Sequence, residues 1–321
     1  MESDYIVTEF LNNVKSGKNN LWRYLATIFI SFGLGQLVGY IAFFISGSLY
    51  FTMINGSMDV NLVNLSVTNP YASFILLFFM FGFSFLFLFI SLRYIHKRDF
   101  MSLVNASNEY DKLSKKGTSI INRIRWRKVL RGFLIWTIFM LLVLAVYYVI
   151  APSTFQISFD LSILWLLLLF LLAIPIQVTF EELFFRGYIS QGLSLKIKSP
   201  LVVIILSSLI FGLFHVINGG LVPIYIIQNL VMTFLIGFIF CIVTVIDNGI
   251  EWAVGAHLAN NFHAMIVSSS KASGSAGSGT LIQSIGFDPM LEFAIGAILL
   301  VIFIIALYCY RKSDILKTFK N

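Results

Sequence analysis

The sequence predicts an all-α, polytopic membrane helical bundle with about eight transmembrane helices, and three observations carry that reading. Hydrophobic residues fill 58% of the 321 positions, charged residues only 12%, and mean hydropathy is +0.89. Soluble domains run near half apolar and a quarter charged. The apolar residues also gather in runs of about 20, the length of helix that crosses a hydrocarbon core of roughly 30 Å.

The first run, 22–47, follows a polar lead. It is longer than a signal-peptide core and lacks a small-residue cleavage site, so no removable signal is read. Its Gly35 and Gly39 form a small-xxx-small pair, which ordinary helix packing explains. Runs 72–94 and 131–151 flank a basic connection. The fourth, 161–190, holds Glu181, Glu182 and Arg186; the fifth, 201–218, holds His215. Asn218-Gly219-Gly220 leads into 221–246, and 250–269 holds His257 and Asn261. The stretch Ser268 to Thr280, rich in Ser, Gly and Ala, reads as a flexible linker before the last run, 290–310. Three regions follow: 1–159 with three helices and the basic loop, a 160–270 core, and 271–321 with the last helix and a basic tail.

Of the 22 Lys and Arg, all but Lys271 fall in the lead, the second-to-third and fourth-to-fifth connections, the tail, or the helix ends that adjoin them. Cytoplasmic loops carry the positive excess, so both termini are expected in the cytoplasm. The same distribution explains the net charge of +7 without nucleic-acid binding. The loop from His96 to Arg131 is read as a topology determinant rather than a partner or anionic-lipid surface. Cys241 and Cys309 lie within apolar helices and are read as buried small hydrophobes, leaving no disulfide framework or cysteine metal site.

An ionisable side chain inside a membrane costs several kcal/mol and needs a partner or a purpose. The fourth, fifth and seventh helices carry them together. Glu182 and Arg186, four apart, share a helical face in the favourable acid-before-base order, whereas Glu181 points about 100° away and is free to act. His215 is the only ionisable group of its run, with Phe211 one turn before it on the same face. His257 and Asn261 share a face of the seventh helix and can stabilise an oxyanion by hydrogen bonds. Asn260 and His263 lie off that stripe and are read as bystanders. Polar packing between helices explains one such group easily and the whole set poorly.

Glu181-Glu182-x-x-x-Arg186, then Phe211-x-x-x-His215, then His257-x-x-x-Asn261, in that order on separate helices, resembles the CPBP family. This is the CAAX protease and bacteriocin-processing (Abi) group, which includes the Ras-converting CAAX endopeptidase. The resemblance covers roughly 160–270, with no departure at a motif position. It implies an intramembrane endopeptidase whose cavity opens toward the cytoplasm and whose substrate is a membrane-associated peptide or protein, prenylated or a leader peptide, in a bacterial cell membrane. By the resemblance, Glu181 and His215 position and deprotonate water, His257 and Asn261 stabilise the oxyanion, and Glu182, Arg186 and Phe211 support them. A metal-free glutamate mechanism is the preferred reading, with zinc on Glu181, His215 and His257 as the alternative. By rise per residue His257 lies roughly 10 Å in and His215 deeper, so a tilt, a kink at Pro175 or a late start to the fifth helix is needed for them to meet. The rival readings are a non-catalytic scaffold or bacteriocin immunity protein that binds a sensor kinase or envelope enzyme, and a proton-relay transporter. The intact motifs speak against the first, and the lack of internal symmetry against the second.

Overall fold

The computed structural model describes residues 8–56, 60–106, 120–157, 159–216, 222–269, 280–284, 286 and 288–319. Each of the eight apolar runs forms a helix: α1 (Leu21–Asn55), α2 (Pro70–His96), α3 (Trp126–Ile150), α4 (Ile163–Ser194), α5 (Pro200–Phe214), α6 (Pro223–Asp247), α7 (Glu251–Phe262) and α8 (Pro289–Phe319). α7 continues in π-type turns over His263–Val267. Six of the eight are long and apolar enough to cross a membrane, and the protein is a multi-pass membrane protein. α5 and α7 are the shorter two, so the expected eight full-length crossings resolve into six plus a short pair.

Local sequence sets the boundaries. Asn69 accepts from the backbone N–H groups of Tyr71 and Ala72 ahead of α2, with Pro70 in the first helical position. Ser199 and Pro200 open α5 in the same way. Asn248, at φ 52°, takes the left-handed conformation that stops α6 and turns the chain directly into α7.

The connections separate into two ends. At one, β1 (Phe155–Ile157) pairs antiparallel with β3 (Ile282–Ser284), which pairs parallel with β2 (Ser268–Ser269). The stretch read as a linker therefore begins in a strand, while most of it, 270–279, lies outside the described residues. At the other end, His96 bonds the Lys18 carbonyl and the Tyr188 hydroxyl, each at 2.8 Å. Arg98 bonds Gln191 there, and burial pulls its guanidinium down to about 10. Arg125 bonds Glu251 through Nε at 2.8 Å, and Arg311 reaches Asp247 at 2.9 Å. Basic residues that the sequence assigns to one side of the membrane thus meet at one end of the bundle.

That basic end is plugged. Phe10 and Leu11, in the polar lead, are fully buried, as is Leu103, in one core with Phe184, Tyr188 and Ile250. Asn105 forms a bridge with Gly249, so the 100–106 segment lies inside the bundle directly under α7. α7 therefore starts deep. At 1.5 Å per residue, α4 runs roughly 20 Å from Glu181 to Ser194, α5 roughly 21 Å from Pro200 to Phe214, and α7 only about 9 Å from Glu251 to His257. The three levels meet because the late start belongs to α7 and not to α5.

Glycines let the scaffold close. A Cβ on Gly132 of α3 would lie 2.1 Å from the Trp252 carbonyl oxygen, and one on Gly255 of α7 would lie 1.9 Å from that of Val129. Gly35 and Gly39 meet the backbone of α2 at Ser84 and Met80 in the same way, consistent with packing inside one chain. Cys241 is buried as expected, but Cys309 is exposed on α8, which presents most of its surface outward.

Candidate active site

The site lies where α4, α5 and α7 reach a common level. Glu182 is fully buried, and its Oε1 takes two partners, Arg186 Nη1 at 3.1 Å and the His257 Nδ1–H at 2.7 Å. The pairing anticipated from the four-residue spacing is therefore present, and it reaches across to α7 as well. α4 widens into π-type turns over Glu182–Ile189, a geometry common at functional sites because it re-aims side chains. The Arg186 guanidinium sits over the Phe211 ring at 4.1 Å and the Phe240 ring at 5.5 Å. The His215 ring also packs against Phe211, with the centroids 4.3 Å apart. Phe211 thus touches both the buried cation and the imidazole.

Glu181 faces the other way, as the 100° offset requires. Its Oε1 accepts from Gln177 Nε2 at 3.2 Å, one turn earlier on the same helix. Its Oε2 lies 3.6 Å from His257 Nε2 and 3.9 Å from His215 Nε2, with no hydrogen-bond partner among the described side chains. His215 Nδ1 bonds the Phe211 carbonyl at 2.8 Å, so that nitrogen carries the proton and Nε2 presents a lone pair. The Glu182 carboxylate accepts from His257 Nδ1 and so holds that ring with its Nε2 toward Glu181. A carboxylate oxygen and two imidazole nitrogens therefore face one small volume, a site suited to a water molecule that bridges them.

Asn261 lines the same cavity, and its neighbours orient it. Trp136 Nε1 donates to Asn260 Oδ1 at 3.2 Å, and Asn260 Nδ2 donates to Asn261 Oδ1 at 3.3 Å. The Asn261 amide nitrogen is thereby left as the group to donate. Asn260 and His263, read from the sequence as bystanders, both line the cavity. Sequence reasoning also missed Gln177 and Trp136. Gln177 had a signal, since it stands four residues before Glu181 in an otherwise apolar run.

The donor types suit zinc, and each histidine has the second hydrogen bond that zinc-bound histidines make. The distances suit it less well. Tetrahedral zinc ligands stand roughly 3.3 Å apart, and among the described residues no group of three His, Cys, Asp or Glu is placed to hold a metal ion.

A cavity of about 350 Å³ starts at Glu181, His215 and His257 and runs between α3, α6, α7 and α8. Trp136, Phe139, Met232 and Leu300 wall it, and it ends at Phe155, Ser268, Ser284 and Glu292. Those last residues belong to the sheet end. The resemblance implied an opening toward the basic, cytoplasmic side; the cavity instead extends to the opposite end, because the plug of Phe10, Leu11, Leu103 and Ile250 fills the basic side.

Comparison with known proteins falls on the same helices. Over 304 residues the chain is 28% identical to a Bacillus subtilis (strain 168) protein described as uncharacterized protein YyaK, covering 92% of this chain and 95% of that one. No solved structure matches. Residues 161–263 match the family model described as type II CAAX prenyl endopeptidase Rce1-like, and that stretch contains every motif residue from Glu181 to Asn261, so the resemblance to the CAAX protease family rests on α4 to α7.

Proposed function

We propose that the protein is an intramembrane endopeptidase that hydrolyses a peptide bond with water activated by Glu181 and His215. The observation that carries this reading is the unpartnered Oε2 of Glu181 facing the Nε2 atoms of His215 and His257 at the inner end of a cavity large enough for water. Water held by Glu181 Oε2 gives up a proton to it or to His215 Nε2 and attacks the scissile carbonyl carbon. The developing oxyanion takes hydrogen bonds from the Asn261 amide and from His257 as imidazolium, which Glu182 stabilises through Nδ1. The proton on the base then passes to the leaving amine. Every step uses this chain's own groups.

The test compares wild type with Glu181→Gln and His215→Ala in detergent on a fluorogenic peptide panel that includes a farnesylated member, with and without chelator. Cleavage should fall at least about 10³-fold in both variants, because each removes a proton acceptor. Thermal unfolding should be nearly unchanged. Wild-type rates in both well-folded variants would sink the mechanism, and loss of wild-type cleavage on chelation would replace it with a metal-dependent one.

A further inference from the structure

We propose that a recess at the basic end, beside the last turns of α2, binds the headgroup phosphate of an anionic phospholipid, with Arg93, Lys97 and Arg98 as its ligands. This site is separate from the Glu181 cluster and stands whether or not the protein is a peptidase. The recess holds about 550 Å³, and Phe89, Arg93, Tyr94, Lys97, Arg98 and Phe100 line it. Asp99 and Arg123 line it as well, 4.0 Å from one another. None of the three ligands lies in 107–119, outside the described residues.

The first support is a buried cation without an anion. Arg98 is only 4% exposed. Its hydrogen bonds all go to neutral groups: Nε donates to Ser102 Oγ at 2.6 Å, and Nη2 to the Ser102 carbonyl at 3.3 Å and to Gln191 Oε1. It makes no ion pair, and neither do Arg93 and Lys97. Taking a guanidinium out of water is costly unless an anion compensates it. Phosphate suits this one, because the planar fork of arginine matches two phosphate oxygens. Lys97 takes the left-handed conformation (φ 51°), uncommon for a residue with a Cβ, so the chain turns at once from α2 into the segment that carries Arg98. Membrane topology requires basic residues on one side, but neither a recess nor a buried guanidinium without a counter-ion.

The second support is position, which selects a lipid over a soluble phosphate. At 1.5 Å per residue, Phe89 stands roughly 10 Å before the end of α2, so the recess runs from the level of Arg98 into the apolar part of the span. Trp22, Tyr94 and Trp126, at the basic ends of α1, α2 and α3, are all exposed, as aromatic side chains are at the headgroup level. Phe89 is exposed too and offers an acyl chain an apolar wall next to the basic one. Anionic lipids give the cytoplasmic leaflet its negative surface, so a ligand of this chemistry is at hand on the side where the basic residues gather.

The purified full chain, in a neutral detergent, is titrated by fluorescence anisotropy against tail-labelled phosphatidylglycerol and tail-labelled phosphatidylcholine. Wild type should bind the phosphatidylglycerol at least about tenfold more tightly. Arg98→Gln should weaken that binding about tenfold. The double variant Arg93→Gln, Lys97→Gln changes only exposed side chains, so it should fold normally and still lose about fivefold or more. Lys196→Gln with Lys317→Gln removes the same charge from exposed positions outside the recess and should leave binding within about twofold. Unlabelled phosphatidylglycerol should displace the label, whereas glycerol 1-phosphate, the headgroup phosphate without its chains, should not. Absent binding, equal affinity for the two lipids, or equal losses in the two double variants would overturn the proposal. Displacement by glycerol 1-phosphate would overturn it in favour of a soluble phosphate.

Discussion

At the scale of single residues, the two adjacent glutamates do opposite work. Glu182 is the structural partner: one buried oxygen holds both Arg186 and His257. Breaking a buried pair leaves an uncompensated charge, typically costing 3–5 kcal/mol. Arg186→Ala is therefore expected to lower unfolding stability by about that much and activity with it, as read by chemical denaturation in detergent. Glu181 has no Arg or Lys partner and stands 3.6 Å or more from both imidazoles, so Glu181→Gln should leave stability within about 1 kcal/mol while abolishing cleavage. Asn260→Ala gives a subtler outcome. It releases the Asn261 amide from its fixed orientation, so kcat should fall roughly tenfold, a fraction of the 10²–10³ typical for a lost oxyanion donor, with KM unchanged. A roughly tenfold rise in KM with kcat unchanged would instead make Asn260 a binding residue. The spacings Glu182–Arg186, Phe211–His215 and His257–Asn261 were legible because four residues return to one helical face. The Trp136–Asn260–Asn261 chain was not, since it joins helices far apart in sequence.

Elements explain why three separate helices can deliver side chains to one point. α3 and α7 approach so closely that Gly132 and Gly255 each face a carbonyl oxygen of the other helix. Adding one methyl at Gly255 must push α7 outward and carry His257 with it. Gly255→Ala is expected to cost about 1–3 kcal/mol through overpacking and, by displacing the His257 imidazole by a fraction of an ångström to an ångström, up to 10²-fold in rate on the proposed mechanism. A well-folded Gly255→Ala protein with full activity would show that the α3–α7 crossing does not position the site. The positions of all eight helices were readable from apolar runs. The starting depth of α7 was not, because it depends on Asn248 turning the chain under the 100–106 segment, a long-range contact with no local periodicity. The π-type turns after Glu181 leave no sequence pattern either.

Across the whole molecule, the polar lead turns out to be part of the core. Phe10 and Leu11 bury fully against helices that follow much later in the chain. Phe10→Ala should destabilise the protein by about 3–5 kcal/mol, the range for a large-to-small change at a buried aromatic, and thermal unfolding of the full-length variant measures it. An unchanged melting temperature would mean the lead is dispensable. A few apolar residues scattered through a short polar segment gave little warning of this role, so the direction of the cavity could not be read beforehand.

The plug also makes the molecule an electrical insulator on the basic side of the Glu181 site, whose own recess extends toward the other end. An aqueous cavity is a far better conductor than packed side chains, so a transmembrane voltage drops mainly across the filled half, between the Glu181 cluster and the basic end. Glu181 and the two histidines are then nearly at the potential of the compartment the cavity faces, and they exchange protons with that compartment alone. In sealed vesicles the hydrolytic rate should follow the acidity on that face and ignore the other, and the bilayer should stay tight to protons while the enzyme turns over.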